Sequence, residues 1–165
     1  MANAAPLRTV AEKSERWSQT WTNERPAAPD PLLPLFLDAI AQTVQRYFSE
    51  AAVEGALRSI GYRMLAQLES EGVAARGTWR ESLCAVVDAL ACRGAAREVT
   101  LRLFDDGFEL RAADLSTPVP SASGAKLSPL CALPLAAVSR AGGTIGEVHC
   151  ALDAGGVFIL RAAVS

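Results

Sequence analysis

The residues of this chain that could carry acid–base or metal chemistry are few, and their spacing suits neither. There is one histidine, His149. It stands between Val148 and Cys150 in a stretch of strand character, so its side chain points away from theirs. No residue at a suitable spacing is placed to orient its ring as a base, so it reads as a solvent-facing or interface histidine. The sequence has no Gly-x-Ser-x-Gly, no glycine-rich phosphate loop and no His-Glu-x-x-His. Asp105, Asp106 and Asp153 all fall at turn signals, where aspartate serves its own backbone.

The four cysteines, Cys84, Cys92, Cys131 and Cys150, contain no Cys-x-x-Cys pair. Cys84 and Cys92 are separated by about 12 Å of rise on one expected helix, too far to hold the same zinc. Glu147 and Cys150 have opposite strand parity. The expectation is therefore no metal, no cofactor and no catalytic residue. Each cysteine sits among Ala, Leu and Val, the setting of a small buried hydrophobe.

What must position these residues is an α+β domain. Residues 1–29 lack an apolar period and end in RPAAPDP, which reads as a flexible tail ahead of a single domain over 30–165. Asp30-Pro31 is a helix start, and Leu33, Phe36, Leu37, Ile40, Val44, Tyr47 and Phe48 form the apolar face of a first helix. A second runs from about Ala51 to Glu69, with Val53, Leu57, Ile60, Met64 and Leu68 on its stripe and Gly72 as its stop. Thr78 and Glu81 have the spacing of a capping box and open a third, which Gly94 ends.

The period then becomes twofold. Val99, Leu101 and Leu103, an Asp105-Asp106-Gly107 turn, then Phe108, Leu110 and Ala112 predict a β-hairpin. Residues 116–126 read as a loop, and Ser128-Pro129 opens a fourth helix to about Arg140, in which Pro134 should produce a kink or move the start. A second hairpin spans Glu147–Leu152 and Val157–Val164 around Asp153-Ala154-Gly155-Gly156. Three N-terminal helices, then two hairpins separated by a helix, predict a four-stranded, mostly antiparallel sheet packed on helices.

Composition bounds the function classes. The chain has 165 residues, 50 % hydrophobic and 21 % charged, with a net charge of −2. Its pI near 5.5 and the absence of a basic stripe exclude the usual nucleic-acid footprint. No window offers the roughly 18 uncharged apolar residues of a membrane span. The first residues lack the charged and apolar regions of a secretory signal, so the expected compartment is the cytoplasm.

Association signals are stronger than catalytic ones. Leu33, Phe36 and Leu37 belong to a nearly continuous apolar run that a one-faced helix does not require, and a second copy of the domain would cover it. Trp17 and Trp21 are four apart, which would set both rings on one side of a short helix. They either pack back on their own domain or anchor a partner. Gly61 interrupts EGALRSIGYRMLAQLE at a cost of about 1 kcal/mol against alanine, which points to close packing of another helix there, in this chain or in a second subunit. These six residues, Trp17, Trp21, Leu33, Phe36, Leu37 and Gly61, are the expected oligomer or partner interface.

The order of elements resembles the small D subunit of bacterial cellulose synthase complexes. The similar stretches are LFLDAIAQTVQRYFSEAAVEGALRSIGYRM, REVTLRL, FELRAADLSTP and the terminal VFILRA. Where that family carries an aromatic-rich Gly-Leu-Tyr-x-x-Trp segment, this chain has ALPLAAVSRAGG. The resemblance implies a non-catalytic accessory protein that forms octameric rings from dimers. It would help export and order glucan chains, and associate with other components of the secretion system, including a proline-rich partner. GYRMLAQLE and EVHCALDAGGVFILRA also resemble vinyl-reductase-like sensor domains. That alternative implies a pocket for small hydrophobic ligands, free of zinc here because Phe158 replaces an expected cysteine.

Overall fold

The computed structural model describes residues 15–23, 33–73, 75–116, 119 and 122–165, with the backbone alone for 33–39 and 122–124. In chain order the elements are β1 (Glu15–Thr22), α1 (Leu33–Tyr47), α2 (Glu50–Ser70), α3 (Trp79–Cys92), β2 (Ala96–Phe104) and β3 (Gly107–Leu115). A 3₁₀ turn (Ala122–Leu127), α4 (Pro129–Arg140), β4 (Ile145–Leu152) and β5 (Phe158–Val164) complete it. The fold is α+β, as the change of period predicts.

Local chemistry sets most boundaries. Ser49 caps α2 by accepting from Ala52 N, and Gly72, with φ of 97°, follows its end. The Thr78–Glu81 capping box is formed in both directions. Ser128 caps α4 through a 3.1 Å bond from Leu130 N. That helix runs from Pro129 to Arg140 with Pro134 inside it, so its start is not moved. In the second hairpin the Asp153 carboxylate accepts from Gly155 N at 2.8 Å and Val157 N at 2.9 Å.

The sheet has five antiparallel strands in the order β1-β2-β3-β5-β4, one more than the sequence reading counts. The extra strand comes from the expected tail: residues 15–22 pair along β2, from Glu15 opposite Phe104 to Thr22 opposite Glu98. The physical reason is that Trp17, Gln19 and Trp21 alternate with Arg16, Ser18, Thr20 and Thr22, a period-2 pattern of β-forming residues. A spacing of four fits a strand face as well as a helix face, so the tryptophans share a side here on a strand. The rest of the expected tail and the Asp30-Pro31 start lie outside the described residues.

One sheet face carries the core. Val99, Leu101, Leu103, Phe108, Leu110, Phe158 and Leu160 meet Leu83, Val86 and Val87 of α3 and Leu130, Leu133 and Val138 of α4, all buried. Eight of the twelve residues of α4 are buried, because it lies between the sheet side and α2. Ser82 Oγ donates to Ala137 O at 3.2 Å, tying α3 to α4 inside the core. The second helix packs chiefly on α4, and α1 lies farthest out, touching the 3₁₀ turn and α2.

Gly61 explains how α2 approaches so closely. A Cβ added there would meet Ala132 O at 2.5 Å and Ala136 Cβ at 3.0 Å. The helix–helix contact expected at this glycine is thus made within the chain, by α4, which leaves that face of α2 closed to a second subunit.

Candidate functional site

The side chains with chemical potential are dispersed. His149 is exposed on β4, opposite Arg161 of β5 on the sheet face away from the helices, and among the described residues nothing hydrogen-bonds its ring. Asp105 pairs with Arg16 across the first hairpin turn. The described residues contain no group of three or more His, Cys, Asp or Glu able to hold a metal ion. None of the described helices is long and apolar enough to cross a membrane.

Among the described residues the most enclosed charged group is Glu109, 5 % exposed on β3. Arg161 Nε donates to its Oε2 at 2.5 Å, and Arg102 Nη1 lies 3.9 Å from its Oε1. The three residues are directly opposite one another on β2, β3 and β5, so the cluster is a cross-strand charge ladder. It neutralises its own buried carboxylate and stabilises the sheet.

Two thiols meet where α4 faces β4. Cys131 and Cys150 share a hydrogen bond, and that bond, with burial, pushes the Cys150 thiol far above the usual thiol range, against a smaller pull from Lys126. Burial raises the Cys84 thiol, helped by the nearby Glu81 carboxylate. The Cys84 and Cys150 thiols remain protonated and act as apolar filling. Only Cys92 is exposed.

Two open grooves flank α3. One, about 460 Å³, is lined by Gly72, Val73, Ala85, Asp88, Ala89, Cys92 and Arg93. The other, about 320 Å³, is lined by Trp21, Thr22, Asn23, Ala91, Cys92 and Ala96. The Asp88 carboxylate between them is engaged, accepting from Trp21 Nε1 at 2.9 Å.

The expected interface residues are not brought together. Trp21 packs half-buried against α3 and the core, whereas Trp17, on the same strand face, stays exposed. Gly61 is buried against α4. Leu33, Phe36 and Leu37 lie in α1, and their side chains fall outside the described residues.

Four other large apolar side chains stand exposed, along α1, the turn after it and α2. Ile40 is 40 % exposed, Tyr47 71 %, Phe48 59 % and Ile60 50 %. The sequence reading places all four on inward stripes, and the structure corrects this. Only Ala41 of α1 is buried among its described side chains, and α2 has a buried face only from Gly61 onward. In its first half the stripe residues Val53 and Leu57 are half-buried and Ile60 is exposed. The available signal was an apolar arc on α1 wider than one contact can cover.

The chain matches no family model and no curated protein.

Proposed function

We propose that the chain is a non-catalytic accessory subunit that assembles with copies of itself. The family whose element order it resembles gives the setting: organisation or export of glucan chains in bacterial cellulose synthesis, beside other secretion components and a proline-rich partner. The observation that carries the reading is the exposure of four large apolar side chains along α1, the turn after it and α2 (Ile40, Tyr47, Phe48 and Ile60), beside a dispersed set of polar side chains. Large apolar side chains left in water support an association surface.

Solution mass by light scattering or native mass spectrometry tests the assembly. A discrete oligomer without bound metal is expected at micromolar concentration, and a monomer there overturns the reading. Thermal stabilisation by small aromatic compounds in a monomeric chain would replace it with the ligand-sensor alternative. The cellulose setting is tested in a producing cell. Removal of the chain should lower the yield or crystalline order of the polymer without loss of synthase activity in isolated membranes. Unchanged polymer would refute that part.

A further inference from the structure

We infer that the free edge of β1 receives an extended segment of a partner protein as a sixth strand. The ladder itself says which backbone groups are available. Asn23 N donates to Arg97 O at 2.6 Å, which makes Asn23 and Arg97 a hydrogen-bonded pair. In an antiparallel ladder such pairs alternate with pairs whose backbone groups point away from each other. Trp21–Val99, Gln19–Leu101 and Trp17–Leu103 therefore bond β1 to β2, while Thr22, Thr20 and Ser18 turn their groups outward. The 2.9 Å contact between the Thr20 and Thr100 hydroxyls fits, because side chains come closest across a pair of the second kind. Among the described residues no strand pairs with the other side of β1. The N–H and C=O groups of these three exposed residues thus form an open row, which another extended backbone matches in full.

Sheet edges are ordinarily blunted, and the two edges of this sheet differ in that respect. At the β4 edge the register shifts between Ile145 and Val148, Glu147 stands within the irregularity, and the 3₁₀ turn packs against the strand. From Trp17 to Thr22 the register of β1 is unbroken, and those six residues include no charge, proline or glycine. Four of them are tryptophan or threonine, both strong strand formers. Such a stretch is a pairing template left in the open.

Side chains specify the occupant. Ser18, Thr20 and Thr22 share the outer face, where hydroxyl-bearing and β-branched neighbours pair well across strands. On the opposite face Trp21 is tied to Asp88, but Trp17 is 37 % exposed and offers its ring to an apolar side chain of the incoming strand. Glu15 and Arg16, at the start of β1, are engaged with Arg102 and Asp105, so the edge offers no charge to read. The segment that fits is uncharged and alternates threonine-like with apolar residues over about six positions. Prolines at its bonding positions would remove the donors, so a proline-rich stretch does not fit. The inference does not rest on self-assembly.

The test uses the full chain, amide hydrogen exchange read by NMR, and a capped peptide of alternating threonine and valine with a lysine at each end for solubility. Without peptide, the amides of Ser18, Thr20 and Thr22 should exchange roughly tenfold or more faster than those of Trp17, Gln19 and Trp21. Saturating peptide should slow the first three by roughly tenfold, and the same peptide N-methylated along its bonding edge should not. Thr20→Pro removes an outward donor and no backbone bond to β2, so the chain should fold and bind the peptide roughly tenfold more weakly. Ser18→Lys with Thr22→Lys guards the edge in another way, should the proline disturb the strand. Slow exchange of the three amides in dilute wild type would overturn the inference, because the edge would be covered by its own chain. Protection that rises with protein concentration, without peptide, would assign the edge to a second copy and overturn it equally. So would no protection by millimolar peptide, or equal protection by the N-methylated form.

Discussion

Gly61→Ala is a direct test of how this fold is held together. The new methyl carbon would lie 2.5 Å from Ala132 O and 3.0 Å from Ala136 Cβ, so α2 and α4 must separate by roughly 1 Å to reach ordinary contact. Overpacking of this kind costs about 1–3 kcal/mol, and better helix propensity returns about 1 kcal/mol of it. The expected net loss is about 0–2 kcal/mol, or a melting temperature lower by up to roughly 8 °C for a chain of this length. Gly55→Ala is the matched control, since a Cβ there meets nothing within 4 Å. It should gain about 0.5–1 kcal/mol from propensity alone. Both melts belong at one protein concentration, because association shifts apparent stability. A Gly61→Ala chain as stable as Gly55→Ala would refute the close α2–α4 approach.

Three further outcomes are expected. Trp21→Phe keeps the ring but removes the donor to Asp88, and should cost about 1 kcal/mol in denaturant unfolding, whereas Trp17→Phe should stay within about 0.5 kcal/mol. Equal effects would mean that β1 is not seated through Trp21. The backbone N–H and hydroxyl of Thr78 hold the Glu81 carboxyl below 4.5, so its contribution is present above that pH and lost as the pH falls through the lowered folded value. Between about pH 6 and pH 3, wild type should therefore lose more thermal stability than Glu81→Gln, which can still cap but does not titrate; parallel curves would remove the box from the acid response. Alkylation followed by mass spectrometry should modify Cys92 first and Cys131 and Cys150 only on unfolding. Early labelling of Cys150 would contradict its shared bond with Cys131.

Features that act over a few residues were legible in the sequence. The Thr78–Glu81 box, the Asp153 turn, the Ser128 cap and the glycine after α2 each need only neighbours in the chain, and each appears at its expected place. The twofold alternation of β2 and β3 likewise gave both a hairpin and its inward face. The solvent-facing placement of His149 followed from strand parity in the same way.

Where two local readings share a spacing, or where a stripe could meet more than one neighbour, only the tertiary structure decided. Trp17 and Trp21 fit a helix or a strand equally by spacing, and pairing with β2 settled it. The apolar run at Leu33–Leu37 suggests a helix enclosed on several sides, but those side chains lie outside the described residues; α4, with eight of its twelve residues buried, is enclosed between the sheet side and α2. Periodicity shows that Ile40, Tyr47, Phe48 and Ile60 belong to apolar stripes, but not how far the covering helix reaches. Hydrophobic burial is indifferent to partner, so a stripe specifies that something must cover it and leaves the choice of neighbour to packing. For Gly61 that neighbour is α4. For Ile40, Tyr47, Phe48 and Ile60, the described helices leave them exposed.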